Sequence, residues 1–162
     1  MGKVTIFICG LLFITGAALS KPFQQKFEKA AFYAVMKSGD IAAIDNEIQN
    51  LSTAPEKERD GYAGALLMKK ASLLKKNKDK LKSFKEGRIK LETALMTDSE
   101  NTEFHFLRLT IEEHAPRIVK YRSDIEKDKA FVIKNFKSLS PAVQHAILDY
   151  CSTSKVLHKE EL

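Results

Sequence analysis

Arg108, Glu112, Glu113 and His114 fall within one short stretch of the chain. An imidazole beside two carboxylates is a pairing that acid–base chemistry uses. A working site would still need a further ligand or proton partner from another element. Arg108 and Glu112 stand four residues apart, the spacing of neighbours on one helix face. Two readings of that pair stay open: an i, i+4 ion pair along one helix, or a partly buried pair that helps fix how the hairpins stack. The four histidines are His105, His114, His145 and His158. None sits in an H-E-x-x-H pattern and no cysteine pair accompanies them, so neither a metal site nor a cofactor is read here. A Gly-rich phosphate loop and a nucleophile elbow are both missing. Ser123 and Ser140 are better explained as helix caps than as nucleophiles. No catalytic residue is assigned. A hydrolase-type enzyme with its site near Arg108–His114 remains one alternative.

The elements that would position these residues read as helices. Ala, Leu, Lys and Glu are plentiful, and the four prolines and seven glycines are few for 162 residues. The chain is 44% hydrophobic and 30% charged, an ordinary globular balance. Apolar residues recur at helical spacing over Pro22–Lys37, and a second helix follows the Ser38-Gly39-Asp40 stop and cap. Thr53-Ala54-Pro55-Glu56 has capping-box spacing and predicts a third helix running to about Lys76. Asn77-Lys78-Asp79 reads as a turn before a helix over Lys80–Thr97. In that helix Leu81, Phe84, Leu91 and Leu95 mark one face, with Ile89 and Met96 opposite, as if it were sandwiched. Asp98–Asn101 is a tight turn. The helix from Thr102 to about Ala115 is apolar on two sides, through Phe104, Leu107 and Ile111 and through Phe106 and Leu109, and reads as the most buried. Ser123–Glu126 repeats the capping box before a helix to about Ser138. Ser140-Pro141 opens the last helix, to about Ser152. From Thr153 the tail is polar and expected to fray.

Charge is unevenly placed. Between Lys69 and Lys90 there are ten Lys or Arg against Asp79 and Glu86, a net +8; the whole chain is +6, so the remainder is −2. The basic patch consists of Lys69, Lys70, Lys75, Lys76, Lys78, Lys80, Lys82 and Lys85, with Arg88 and Lys90 beyond. Only Phe84 interleaves an aromatic ring, which argues against nucleic acid. Anionic membrane headgroups or acidic glycans are the expected electrostatic partners, and simple solvation of two helix ends is the competing reading.

The first twenty residues set the expected compartment. Lys3 precedes an uncharged run from Val4 to Leu19 that ends in small residues, the pattern of a secretory signal peptide cut near Ser20–Lys21. A retained anchor is the alternative, although about 16 apolar residues are short for a span. Cleavage removes Cys9 and leaves Cys151 alone, so packing rather than a disulfide must hold the domain. Cys151 reads as a half-buried small hydrophobe. The last four residues, Lys159-Glu160-Glu161-Leu162, resemble an endoplasmic-reticulum retention signal, which makes the ER lumen the alternative location.

Two stretches resemble tetratricopeptide repeats. Phe84-x-x-Gly87-x-x-x-Leu91-x-x-Ala94-Leu95-x-x-Asp98-Ser99-x-Asn101 is similar to the second helix and exit turn of such a repeat, with Ser99 where Pro is usual. Met36–Asp40 is a poorer likeness. The preceding helix has no aromatic-Leu-Gly signature and the period is not constant, so the resemblance is to degenerate hairpins over Phe23–Pro116. The segments Tyr62–Ala71, Asn101–Leu109, Ala115-Pro116 and Ile125–Lys129 together resemble a family of short secreted helical proteins of Gram-negative bacteria. That resemblance implies fold and compartment and adds no chemistry.

These readings combine into an all-α protein of six to seven helices in stacked antiparallel hairpins. It has a signal peptide over 1–20, one domain over 21–152 and a polar tail over 153–162. The expected function is a non-catalytic interaction module, secreted or periplasmic, with an envelope protein as partner. Its expected contacts are exposed aromatics around Phe104, Phe106 and Tyr121, the charges Arg108, Glu112 and His114, and the basic patch. The alternative is electrostatic binding of anionic envelope surfaces through the 69–90 segment.

Overall fold

The computed structural model describes residues 27–162. The expected signal peptide, and the expected start of the first helix over Pro22–Lys26, lie outside the described residues. Seven α-helices follow in order: α1 Lys29–Ser38, α2 Ile41–Asn50, α3 Arg59–Leu73, α4 Asn77–Thr97, α5 Thr102–His114, α6 Ile125–Asn135 and α7 Pro141–Cys151. Among the described residues there is no strand, and the protein is all-α. Gly39 closes α1 at φ 70°, the left-handed conformation that suits a residue without a side chain. The Asp40 carboxylate accepts the Ala42 N–H at 2.9 Å and starts α2. Asn101 does the same for α5, accepting from Phe104 N–H at 3.1 Å.

The α3–α4 pair is the most extensively packed in the fold. Its antiparallel register can be followed rung by rung. Ser83 Oγ donates to the Leu67 carbonyl at 2.7 Å, Gly64 meets Gly87, and Lys90 reaches Asp60 at 2.6 Å. A methyl group at Gly64 would come within 2.6 Å of the Leu91 nitrogen and 2.7 Å of the Gly87 oxygen. The small residues at 63–65 thus let a neighbouring backbone approach closely, as their composition suggested.

Two apolar clusters make the core. Phe32, Ile44, Leu51, Tyr62, Leu66 and Leu91 belong to the first, together with Phe104 and Leu107 of α5. The second joins Phe106 and Leu109 of α5 to Val132, Val143, Ile147 and Leu157. Helix α5 is therefore the wall shared by both, which is why apolar residues occupy two of its faces. Each of these fully buried side chains contributes roughly 1.5–3 kcal/mol relative to exposure. Cys151 sits half-buried at the edge of the second cluster, and burial raises its thiol pKa.

Several local readings of the sequence are corrected. Thr53 caps no helix: its Oγ1 accepts the Phe27 N–H at 2.7 Å and donates to the Asn50 carbonyl. It ties the chain before α1 to the end of α2, and α3 begins later, at Arg59. Helix α3 ends at Leu73 and α4 begins at Asn77, so the turn falls on residues 74–76. Ser123 forms no capping box; its hydroxyl bonds the neighbouring Asp124 carboxylate. The α4 sandwich also fails. Helix α4 packs through Gly87, Leu91, Ala94 and Leu95, while Ile89 is 67% and Met96 85% exposed. The tail after α7 is packed rather than frayed. Leu157 is fully buried, Ser154 accepts from the Val156 and Leu157 N–H groups, and Lys129 pairs with Glu161 at 2.8 Å.

Candidate functional site

The charged residues of α5 diverge. Arg108 and Glu112 turn into the core towards α6; Glu113 and His114 face the chain end. Asp128, fully buried on α6, is the hub of the first group. Arg108 donates to both of its oxygens, Nε to Oδ2 and Nη2 to Oδ1, each at 2.7 Å, a bidentate fork. His105 Nδ1 lies 2.6 Å from the same Oδ1, and its Nε2 lies 2.8 Å from the Ser99 carbonyl. Arg108 Nη1 donates to Glu92 of α4 at 2.9 Å, and the Tyr121 hydroxyl donates to the other Glu92 oxygen at 2.5 Å. One chain of charged bonds thus joins α4, α5, α6 and the connection that follows α5.

Titration follows from this arrangement. Burial would lower the Arg108 pKa, but its bonds to Asp128 and the charges of Asp128, Glu92 and Asp124 outweigh burial and raise it. Tyr121 is raised by burial and by the Glu92 carboxylate it bonds. Glu112 is fully buried, with Oε2 accepting the Asp124 N–H at 3.0 Å and Oε1 unpartnered. Burial above all, then the charges of Asp124 and Asp128, lift its pKa from 4.5 to about 7, against the Asp124 N–H bond and Arg108. The i, i+4 pair of Arg108 and Glu112 does not form; each side chain bonds α6 or the residue that leads into it instead. Neither reading holds as a pair: both side chains are buried, and each is bonded to residues outside α5.

The second group surrounds Glu113. Its carboxylate accepts from the Tyr150 hydroxyl, from Ser154 Oγ at 2.7 Å and from the Lys155 N–H at 2.6 Å. Burial would raise its pKa, but these bonds together lower it. Glu113, His114, Arg122, Thr153, Lys155 and Val156 line a depression of about 330 Å³. His114 is exposed, with Nδ1 2.9 Å from the Thr110 carbonyl. Among the described residues no group of three or more His, Cys, Asp or Glu could hold a metal ion.

The expected aromatic contacts are corrected. Phe104, Phe106 and Tyr121 are all buried. Phe104 packs edge-on against Tyr62 and Phe106 against Tyr150, while Tyr121 sits between Phe84 and the Arg88 guanidinium. They are core rings; for Phe104 and Phe106 the cause is that α5 is enclosed on both faces. The sequence reading also passed over Asp128, Glu92 and Glu103. Glu103 is buried and bonds Lys29 at 2.5 Å and the Tyr33 hydroxyl at 2.9 Å, joining α5 to α1. Asp128 left a trace: it interrupts the Ile125–Val132 stripe at helical spacing, where an apolar residue belongs.

The basic patch is largely solvent-facing. Lys75, Lys76, Lys78, Lys82 and Lys85 are exposed, and Lys69, Lys70 and Lys80 partly so. Lys70 pairs with Asp45 at 2.5 Å. Among the described residues, the other seven have no carboxylate within 4.0 Å. Leu67, Lys70, Leu74, Asp79, Lys82, Ser83 and Glu86 line a depression of about 300 Å³ in this region. The outward side of α4 carries exposed apolar residues as well, Leu81, Ile89 and Met96. Compared with known proteins, the chain matches no family model, no curated protein and no solved structure.

Proposed function

We propose that the protein is a non-catalytic helical binding module of the cell envelope, secreted or periplasmic, that presents the outward side of α4 to a partner. The compartment rests on the leader pattern of residues 1–20, and the stacked-hairpin architecture on the antiparallel α3–α4 pair with its degenerate tetratricopeptide-like residues. The observation that carries the reading is the pair Ile89 and Met96. Among the described residues nothing covers them on the side of α4 away from its packed residues, in line with lysines that have no carboxylate within 4.0 Å there. The enzyme reading loses its premise, since Arg108 and Glu112 do not converge with Glu113 and His114 on one pocket. Asp128, His105 and Arg108 are buried and bonded to one another, beyond the reach of a substrate.

The test is a photo-crosslinking residue placed in the producing cell at position 89 or 96, with His145, exposed on α7, as control. The expected result is an adduct, to protein or to lipid, from 89 and 96 by mass spectrometry and none from 145. Equal labelling at all three positions, or none at any, would remove the reading.

A further inference from the structure

We propose that the α4 face docks flat on an anionic lipid surface, lysines on the headgroup phosphates and Ile89 and Met96 among the headgroups. This rests on the binding-module reading above and names its partner. At about 100° per residue, Lys78, Lys85, Ile89 and Met96 fall within about 40° of one another. That side lies opposite Ser83, Gly87 and Ala94, which are buried against α3 and the core. The described core therefore makes no use of the stripe. It runs the length of a helix of 21 residues, about 31 Å. Its first half is cationic and its second half carries isolated apolar side chains.

The partner's chemistry follows from shape and charge. Ile89 and Met96 stand about 10 Å apart along the axis, so they form no contiguous apolar core of the kind a protein interface closes over. Separate apolar side chains among long flexible lysines match a fluid interface, where each group finds its own depth. Lys78, Lys82 and Lys85, exposed on α4 and with no carboxylate within 4.0 Å among the described residues, supply the attraction. Each lysine that reaches an anionic surface multiplies the partition roughly fivefold. Glu92, close to the stripe, is turned inward onto Arg108 and Tyr121, while Glu86 is exposed on the flank, about 60° from Ile89 around the axis. Lys90 is neutralised by Asp60. No helix among the described residues is long and apolar enough to cross a membrane, so this contact lies on the surface.

Co-sedimentation tests it, using the protein as purified from producing cells and vesicles of phosphatidylcholine alone or mixed with phosphatidylglycerol. The expected result is at least a tenfold preference for the anionic vesicles at low salt, falling steeply as salt is raised. Lys78→Glu/Lys82→Glu/Lys85→Glu should abolish the preference. Ile89→Ser/Met96→Ser should weaken binding several-fold while leaving its salt dependence; circular dichroism checks that both variants fold. An anionic preference below about twofold, or one that survives charge reversal, overturns the lipid assignment. If vesicles are ignored but residue 96 crosslinks to a protein in cells, the lipid assignment falls and the binding module stands. If both fail, both readings fall.

Discussion

Asp128 lies in the core because Arg108 and His105 meet it there with three bonds of 2.6–2.7 Å. Removing one partner strands the others in a medium that solvates them poorly, which typically costs about 3–5 kcal/mol. Asp128→Asn should lower the urea unfolding free energy by that order, and Arg108→Met combined with Asp128→Leu should cost less than Arg108→Met alone. A double-variant cost equal to the sum of the Arg108→Met and Asp128→Leu costs would mean that the charges act independently. Glu112 gives a pH dependence whose sign is fixed. Its folded pKa is about 7, above the ordinary 4.5, so the folded state favours the protonated form. That contribution is complete below about pH 4.5 and is lost as pH rises through about 7. Relative to Glu112→Gln, the parent should lose on the order of 2 kcal/mol between about pH 4.5 and about pH 8. Urea midpoints over a pH series check it, and parallel curves would contradict it.

At the scale of elements, local signals read true and partners at a distance did not. The Gly39–Asp40 stop and cap, the Asp98–Asn101 turn and the two-faced α5 are all encoded within a few residues, and all stand. Thr53 had a cap's spacing, yet its hydroxyl is taken by Phe27, 26 residues away. Ile89 and Met96 had the periodicity of a second buried face, but periodicity records a stripe and not whether a neighbour covers it. The charge network was invisible for the same reason: Arg108 finds Glu92 and Asp128 at separations of 16 and 20 residues. Close packing of α3 on α4 yields its own prediction. Gly64→Ala forces a methyl group onto the Gly87 oxygen and the Leu91 nitrogen, both backbone atoms with little freedom to yield. A loss of about 2–3 kcal/mol in urea unfolding is expected, whereas Ala63→Gly, at a less confined site, should cost only about 1 kcal/mol through helix propensity.

Over the whole molecule, α5 carries the core on two faces and charged groups near both ends and at its middle, and the chain returns to it at the close. Residues after α7 looked like a solvated tail because their composition is polar. Leu157 nevertheless fills the second cluster, and Ser154 and Lys155 bond Glu113 on α5. Leu157→Ala should cost about 2–4 kcal/mol, read as a fall in urea midpoint; an unchanged midpoint would show that the segment is not part of the fold. This leaves α4 as the helix whose outward side the described core does not use. Peroxide oxidation of Met96, followed by mass spectrometry, tests that claim most directly, with buried Met68 as internal control. In the purified protein Met96 should oxidise far faster than Met68, and in the envelope fraction of producing cells its oxidation should slow several-fold. Equal Met96 oxidation in the two preparations would contradict a working surface on α4.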